Sequence, residues 1–88
     1  MNCEIKDTLI IIKQDSLDIY DAPVLKEKIT TVAYGDKRTV VLDLRDVEDI
    51  STPAIQVLIA AKKSFEGLKI LNIKESVVNN LILLNSSL

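Results

Sequence analysis

Three short apolar runs alternate along this chain with three stretches whose apolar residues recur at helical spacing. Thr8-Leu9-Ile10-Ile11-Ile12-Lys13 is bounded by Asp7 and by Gln14-Asp15-Ser16. A β-branched run of that length between turn formers reads as a strand. Asn2–Lys6 is read as a short partner strand before it. Asp21-Ala22-Pro23 then opens a helix: Asp21 offers an acceptor for a free backbone N–H, and proline has no N–H to leave unpaired in a first turn. Leu25, Ile29, Val32 and Ala33 follow at helical spacing with Lys26 and Lys28 between them, and Gly35 is the expected stop. Thr39-Val40-Val41-Leu42-Asp43-Leu44 is the clearest strand, with Val40, Leu42 and Leu44 on one face.

Ser51-Thr52-Pro53 opens a second helix that runs through Ala54–Ala61 to Lys62, Lys63 and Phe65, with Gly67 as its stop. The lysines fall near its C-terminal end, where the helix dipole favours cations. Taking 100° per residue, Ala54, Leu58, Ala61 and Phe65 form a central core stripe, Ile55 and Ile59 lie on its flank, and Gln56 and Lys63 lie opposite. Lys69-Ile70-Leu71-Asn72-Ile73 is a third strand, and Ser76 is expected to cap a last helix from Val77 to about Asn85. Strands separated by single helices imply parallel neighbours joined by crossovers. The expected architecture is one small α/β domain over residues 1–88. Its sheet is mixed but mostly parallel, of four to five strands, packed by about three helices.

Composition narrows the chemistry. Ile, Leu and Val supply 32 of 88 residues and aromatics only three, so the core is aliphatic. Histidine is absent and Cys3 is the single cysteine, which removes intrachain disulfides, His/Cys zinc sites and every catalytic layout that needs an imidazole base. A net charge of −2 offers no basic face for phosphates and points away from nucleic acid as a direct partner. No segment reads as a signal peptide or membrane helix, so the expectation is a soluble cytoplasmic protein without membrane insertion. Charge is uneven, however. Residues 1–50 hold 11 acids against 7 bases, residues 51–88 hold 2 against 4, and Asp43, Asp46, Glu48 and Asp49 crowd the approach to Ser51. Asp43 and Asp46 form no convincing acid–base pair, because no apolar pocket or second catalytic group accompanies them. No catalytic residue, metal site or cofactor is expected.

The stretch from Val40 to Leu58 resembles the STAS family, the bacterial anti-sigma factor antagonists and their relatives. That family has a strand of the form "vvlDLs-v", a short loop, and "DSSG" opening a helix that continues "LgvLl". Asp15-Ser16-Leu17-Asp18 with Ala22-Pro23-Val24-Leu25 is similar to its "GeLDlanapeL" segment, Lys69–Ile73 to its late strand, and Ser76–Leu84 with Leu88 to its closing helix and "GL". Where the family has Asp-Ser-Ser-Gly, this chain has Ser51-Thr52-Pro53-Ala54. Thr52 stands at the position of the phosphorylated hydroxyl, with Ser51 the alternative acceptor.

The resemblance implies a non-enzymatic regulatory module in signal transduction and transcription regulation. It would bind an anti-sigma factor or a histidine-kinase-like ATPase under control of phosphorylation at the start of the second helix, with a phosphatase as a further partner. In the family, the unphosphorylated form captures the anti-sigma factor. The partner-binding candidates are Asp46, Glu48, Asp49, Ser51, Thr52, Pro53, Ala54, Gln56 and Ile59. Two other roles fit the resemblance: a constitutive accessory subunit on the ATPase of a bacterial lipid-transport ABC complex, and a module coupled to chemotaxis or another two-component array. The same residues also have plain structural readings. Thr52 reads equally as an N-cap with Pro53 at the first helical position, the acids as a solvated loop, and Ile59 as core.

Overall fold

The computed structural model describes residues 1–34 and 39–83, the last three by backbone alone. The expected stop at Gly35 and the helix end near Asn85 lie outside the described residues. The elements run β1 (Cys3–Lys6), β2 (Leu9–Ile12), β3 (Ser16–Leu17), α1 (Asp21–Ala33), β4 (Val40–Asp43), β5 (Asp49–Ile50), α2 (Thr52–Ser64), β6 (Leu68–Leu71) and α3 (Glu75–Leu83).

β1 and β2 form a hairpin whose register pairs Cys3 with Ile12 and Lys6 with Leu9. Asp7 turns the corner at φ 56°, a left-handed conformation that aspartate tolerates. The main sheet has the order β1-β2-β4-β6, antiparallel at the hairpin and parallel elsewhere. The expected mixed, mostly parallel sheet therefore has four strands. β3 and β5 make a separate two-residue parallel ladder, Ser16 opposite Asp49 and Leu17 opposite Ile50. The sequence reading missed both.

The alternation of faces places Ile10, Ile12, Val40, Leu42 and Leu68 on one side of the sheet, all buried. α1 and α2 cover that side. They contribute Leu25, Ile29 and Ala33 from α1, and Ala54, Ile55, Leu58 and Ala61 from α2, to a single aliphatic core. Leu17, Val47, Ile50 and Val77 join it from the β3–β5 end, so the short ladder and α3 are held there by burial. Val32 and Phe65, two of the expected helix-face residues, are only half-buried at its margin.

Two helix starts differ from the sequence reading. Asp21 is the first residue of α1 rather than its cap, and Tyr20 in the cap position makes no side-chain cap bond. Asp18 takes over: its Oδ1 accepts from the N–H groups of Tyr20 (2.8 Å) and Asp21 (3.1 Å). Asp21 points back instead, its Oδ2 accepting from the Asp18 N–H and from Gln14 Nε2, both at 2.9 Å. The last helix begins at Glu75, so Ser76 lies inside it. The Ser76 hydroxyl donates at 2.7 Å to the Glu48 carbonyl rather than capping a helical N–H.

Candidate functional site

The resemblance directs attention to the start of α2. Val40–Asp43 carries the chain along the sheet, Leu44 and Val47 bury on either side of the turn at Arg45 and Asp46, and β5 delivers the chain to Ser51. The approach is stitched to the β3 segment. The Glu48 and Asp49 N–H groups donate to the Asp15 carbonyl at 2.7 and 3.1 Å, and the Ser51 N–H donates to the Leu17 carbonyl at 2.8 Å. Asp46, Glu48 and Asp49 are all exposed. Glu48 meets Lys74 Nζ at 3.3 Å, which ties the acidic loop to the entrance of α3. Asp49 Oδ1 accepts from the Ile50 N–H at 3.1 Å.

Ser51, not Thr52, caps α2. Its backbone is extended (φ −75°, ψ 156°) and its Oγ accepts from the Ala54 N–H at 3.4 Å. Thr52 is thereby the first helical residue and Pro53 the second, one step later than the capping reading placed them. This frees the Thr52 hydroxyl from capping and leaves the residue exposed. Pro53 and Gln56 are exposed beside it, Ala54 is buried, and Ile59 is half-buried with its side chain packed against the core. The candidate residues thus divide: Asp46, Glu48, Asp49, Thr52, Pro53 and Gln56 are exposed, while Ala54 is buried and Ile59 packs against the core. Replacing Ser51 by alanine removes the cap and should lower stability by about 1 kcal/mol, read as a loss of roughly 4–8 °C in Tm. An unchanged Tm would mean that the cap carries no weight.

The helix end is a specific electrostatic setting. The first-turn N–H groups of a helix carry partial positive charge. Here Pro53 has none to offer, the Ala54 N–H is shared with Ser51, and the Ile55 N–H is committed to the Ser51 carbonyl at 3.0 Å. An anion on Thr52 would therefore find two backbone donors at most, those of Thr52 and Ala54, rather than a full first turn.

A buried anchor stands behind this edge. Asp43 was grouped with the acidic approach to Ser51; it is instead 1% exposed, at the end of β4. Its carboxylate accepts from the Arg45 N–H (3.0 Å), from Arg45 Nε (2.9 Å) and Nη2, and from Asn72 Nδ2 (3.0 Å). Asn72 reaches it from just past β6 by adopting φ 57°. The Arg45 guanidinium holds the Asp43 carboxyl down at about 2, with the Asn72 amide helping and burial opposing. Asp43 is consequently a locked structural anion, while Asp46 is exposed, and the two make no acid–base pair. Asn72 and Arg45 were not singled out from sequence; the "Asp-Leu-Arg" strand end was the only local signal. Among the described residues no group of three or more His, Cys, Asp or Glu side chains could hold a metal ion, and no helix is long and apolar enough to cross a membrane.

No curated protein matches this sequence. The family model of the STAS domain matches residues 2–85, nearly the whole of the 88 residues. Strand order, helix order and the exposed hydroxyl at the second helix all sit within that match, and the chain belongs to the STAS domain family.

Proposed function

We propose that this chain is a non-enzymatic regulatory binding module. It docks through the exposed edge at the start of α2 onto an anti-sigma factor or a histidine-kinase-like ATPase, and phosphorylation of Thr52 abolishes docking. The observation that carries the reading is the exposed Thr52 hydroxyl, left outside the cap by Ser51. On the approach to α2, the exposed Asp46, Glu48 and Asp49 suit a basic partner surface and would repel a nearby phosphate. A phosphate adds roughly −1.5 to −2 charge and three acceptor oxygens. A partner packed over Thr52 must then bury that charge without matching cations, which is enough for a switch without a change of fold.

One observation favours a second reading. Pro53 and the Ser51 cap leave few backbone donors to receive a phosphate. A site that never carries one suits a constitutive accessory subunit, such as one bound to the ATPase of a lipid-transport ABC complex.

Affinity purification of the tagged full chain from its native host separates the two. Recovery of a histidine-kinase-like ATPase, lost when Thr52→Glu is used as bait and kept with Thr52→Ala, supports the switch. Recovery of a transporter ATPase equally with all three baits replaces it by the accessory role.

A further inference from the structure

β1 is an end strand of the four-stranded sheet, with a neighbour on one side only. Its register on β2 fixes which backbone groups are left over. The Lys13 N–H donates to the Asn2 carbonyl at 2.8 Å, and opposed residues of an antiparallel pair alternate between bonded and non-bonded. Asn2, Glu4 and Lys6 therefore turn their backbone groups toward β2, while Cys3 and Ile5 turn theirs outward. Side chains alternate as well. Ile5 stands opposite the buried Ile10, on the side covered by α1 and α2, and is 43% exposed at the margin of the sheet. Glu4 and Lys6 project from the other side, where Glu4 meets Lys6 Nζ at 3.2 Å and Lys13 Nζ at 3.7 Å.

A free edge accepts a strand, and side chains decide which one. An antiparallel strand matched to Glu4-Ile5-Lys6 must set a base opposite Glu4, an acid opposite Lys6 and an apolar residue between them. Read in its own direction, that strand runs acid, apolar, base, which is the order in β1 itself. A two-fold axis through Ile5 places Glu4 of each copy opposite Lys6 of the other and closes a ring of charges of alternating sign. On the opposite side Ile5 meets Ile5, and the apolar row from Ile10 continues across the axis. Other registers lack this match. An axis through Glu4 or Lys6 opposes like charges, as does a parallel copy in register, and an axis through Cys3 sets Glu4 against Asn2. A one-residue slip exchanges the two faces. β6, the other end strand, has Lys69 as its single charge and no such self-match. Exposed ion pairs add little affinity, so these charges select partner and register, while the backbone bonds and Ile5 hold the pair together.

We propose that two copies of this chain pair edge to edge through β1, antiparallel about Ile5, joining two four-stranded sheets into one. The ladder ends where Cys3 of one copy meets the turn at Asp7 of the other, so the dimer is weak and reversible. It does not depend on the docking role assigned to Thr52.

The test is sedimentation equilibrium and NMR of the isotopically labelled full chain over a concentration series. A monomer–dimer equilibrium with a Kd below about 1 mM is expected, with concentration-dependent shifts centred on the Cys3 and Ile5 amides. Glu4→Lys and Lys6→Glu each oppose like charges across the axis and should each weaken self-association about tenfold or more. An equimolar mixture of these two variants should associate more tightly than either alone, and the double variant Glu4→Lys/Lys6→Glu should dimerise like the unmodified chain. Ile5→Pro removes an N–H that the hairpin does not use, so it should abolish the dimer and leave the circular dichroism spectrum unchanged; if the spectrum changes, the charge variants, exposed and outside the core, decide. The proposal is overturned if the chain stays monomeric up to about 1 mM. It is equally overturned if the mixed variants associate no better than their components, if a dimer survives Ile5→Pro in a folded chain, or if the concentration-dependent shifts fall outside β1.

Discussion

Asp43→Ala should lower the stability of the domain by about 3 kcal/mol, a fall of roughly 12–24 °C in Tm for a chain of this length. The carboxylate is buried and receives the Arg45 backbone N–H, the Arg45 guanidinium and the Asn72 amide. Alanine strands all of them. Hydrogen bonds to a charged group contribute about 1.5–3 kcal/mol each, and breaking a buried ion pair costs about 3–5 kcal/mol. The lower part of that range applies because the Arg45 side chain is 55% exposed and can rehydrate. Asp43→Asn keeps the shape and one acceptor oxygen and should lose about half as much. A Tm within about 4 °C of wild type for Asp43→Ala would show that the network is ornamental.

The same carboxyl sets an acid limit. Its pKa falls from 3.8 to about 2 on folding, because Arg45, then Asn72, bind the charged form. A carboxyl lowered on folding contributes stability above its unfolded value and loses it as pH drops through the folded one. About 2 kcal/mol should therefore be present above pH 4 and drain away between about 4 and 2. Urea unfolding at stepped pH reads this directly. In Asp43→Asn that part of the acid slope should be gone, and an unaltered slope would assign it to other carboxylates.

Phosphorylation of Thr52 should weaken partner binding roughly a hundredfold, corresponding to a cost of about 3 kcal/mol. Two terms combine. The phosphate occupies the contact edge, and it adds charge to an approach that already carries the exposed Asp46, Glu48 and Asp49. Thr52→Glu, with one charge and no tetrahedral group, should fall between the two states. Thr52→Ala should bind like the unmodified chain, and its Tm should hardly change because Ser51 carries the cap. Calorimetric titration of the recovered partner checks the order. Equal affinities for unmodified chain, Glu variant and phosphorylated chain would remove charge at Thr52 as the switch.

The elements that could be read from sequence were those with enough residues to show a period. Leu9–Ile12 declares itself as an unbroken apolar run between turn formers, Val40–Asp43 and the two long helices each declare one face, and Leu25, Ile29, Leu58 and Ala61 are buried as their spacing required. The β3–β5 ladder has two residues a side, too few for alternation to register; it exists because Leu17 and Ile50 are drawn into a core built by others. The cap of α2 was misplaced by one residue because Ser51 and Thr52 are both hydroxyl residues before proline, and only backbone geometry distinguishes them. Ser76 misled in a similar way: it is a good capping type, but the Glu48 carbonyl lies within reach of its hydroxyl. The least visible feature was the Asp43 anchor. Its partner Asn72 is 29 positions away and reaches it only through a left-handed backbone that no local pattern announces. Of the candidate residues, Asp46, Glu48, Asp49, Thr52, Pro53 and Gln56 are each exposed, whereas burial of Ala54 and the inward packing of Ile59 depend on how α2 is rotated against the sheet.

The central claim is that Thr52 decides whether this module is docked. The most direct measurement is phosphopeptide mass spectrometry of residue 52 in two pools of the native protein, one eluting with its partner and one eluting alone. The account predicts unmodified Thr52 in the bound pool and phosphothreonine concentrated in the free pool. Phosphate equally represented in both pools, or absent from both while the chain remains bound, would contradict it.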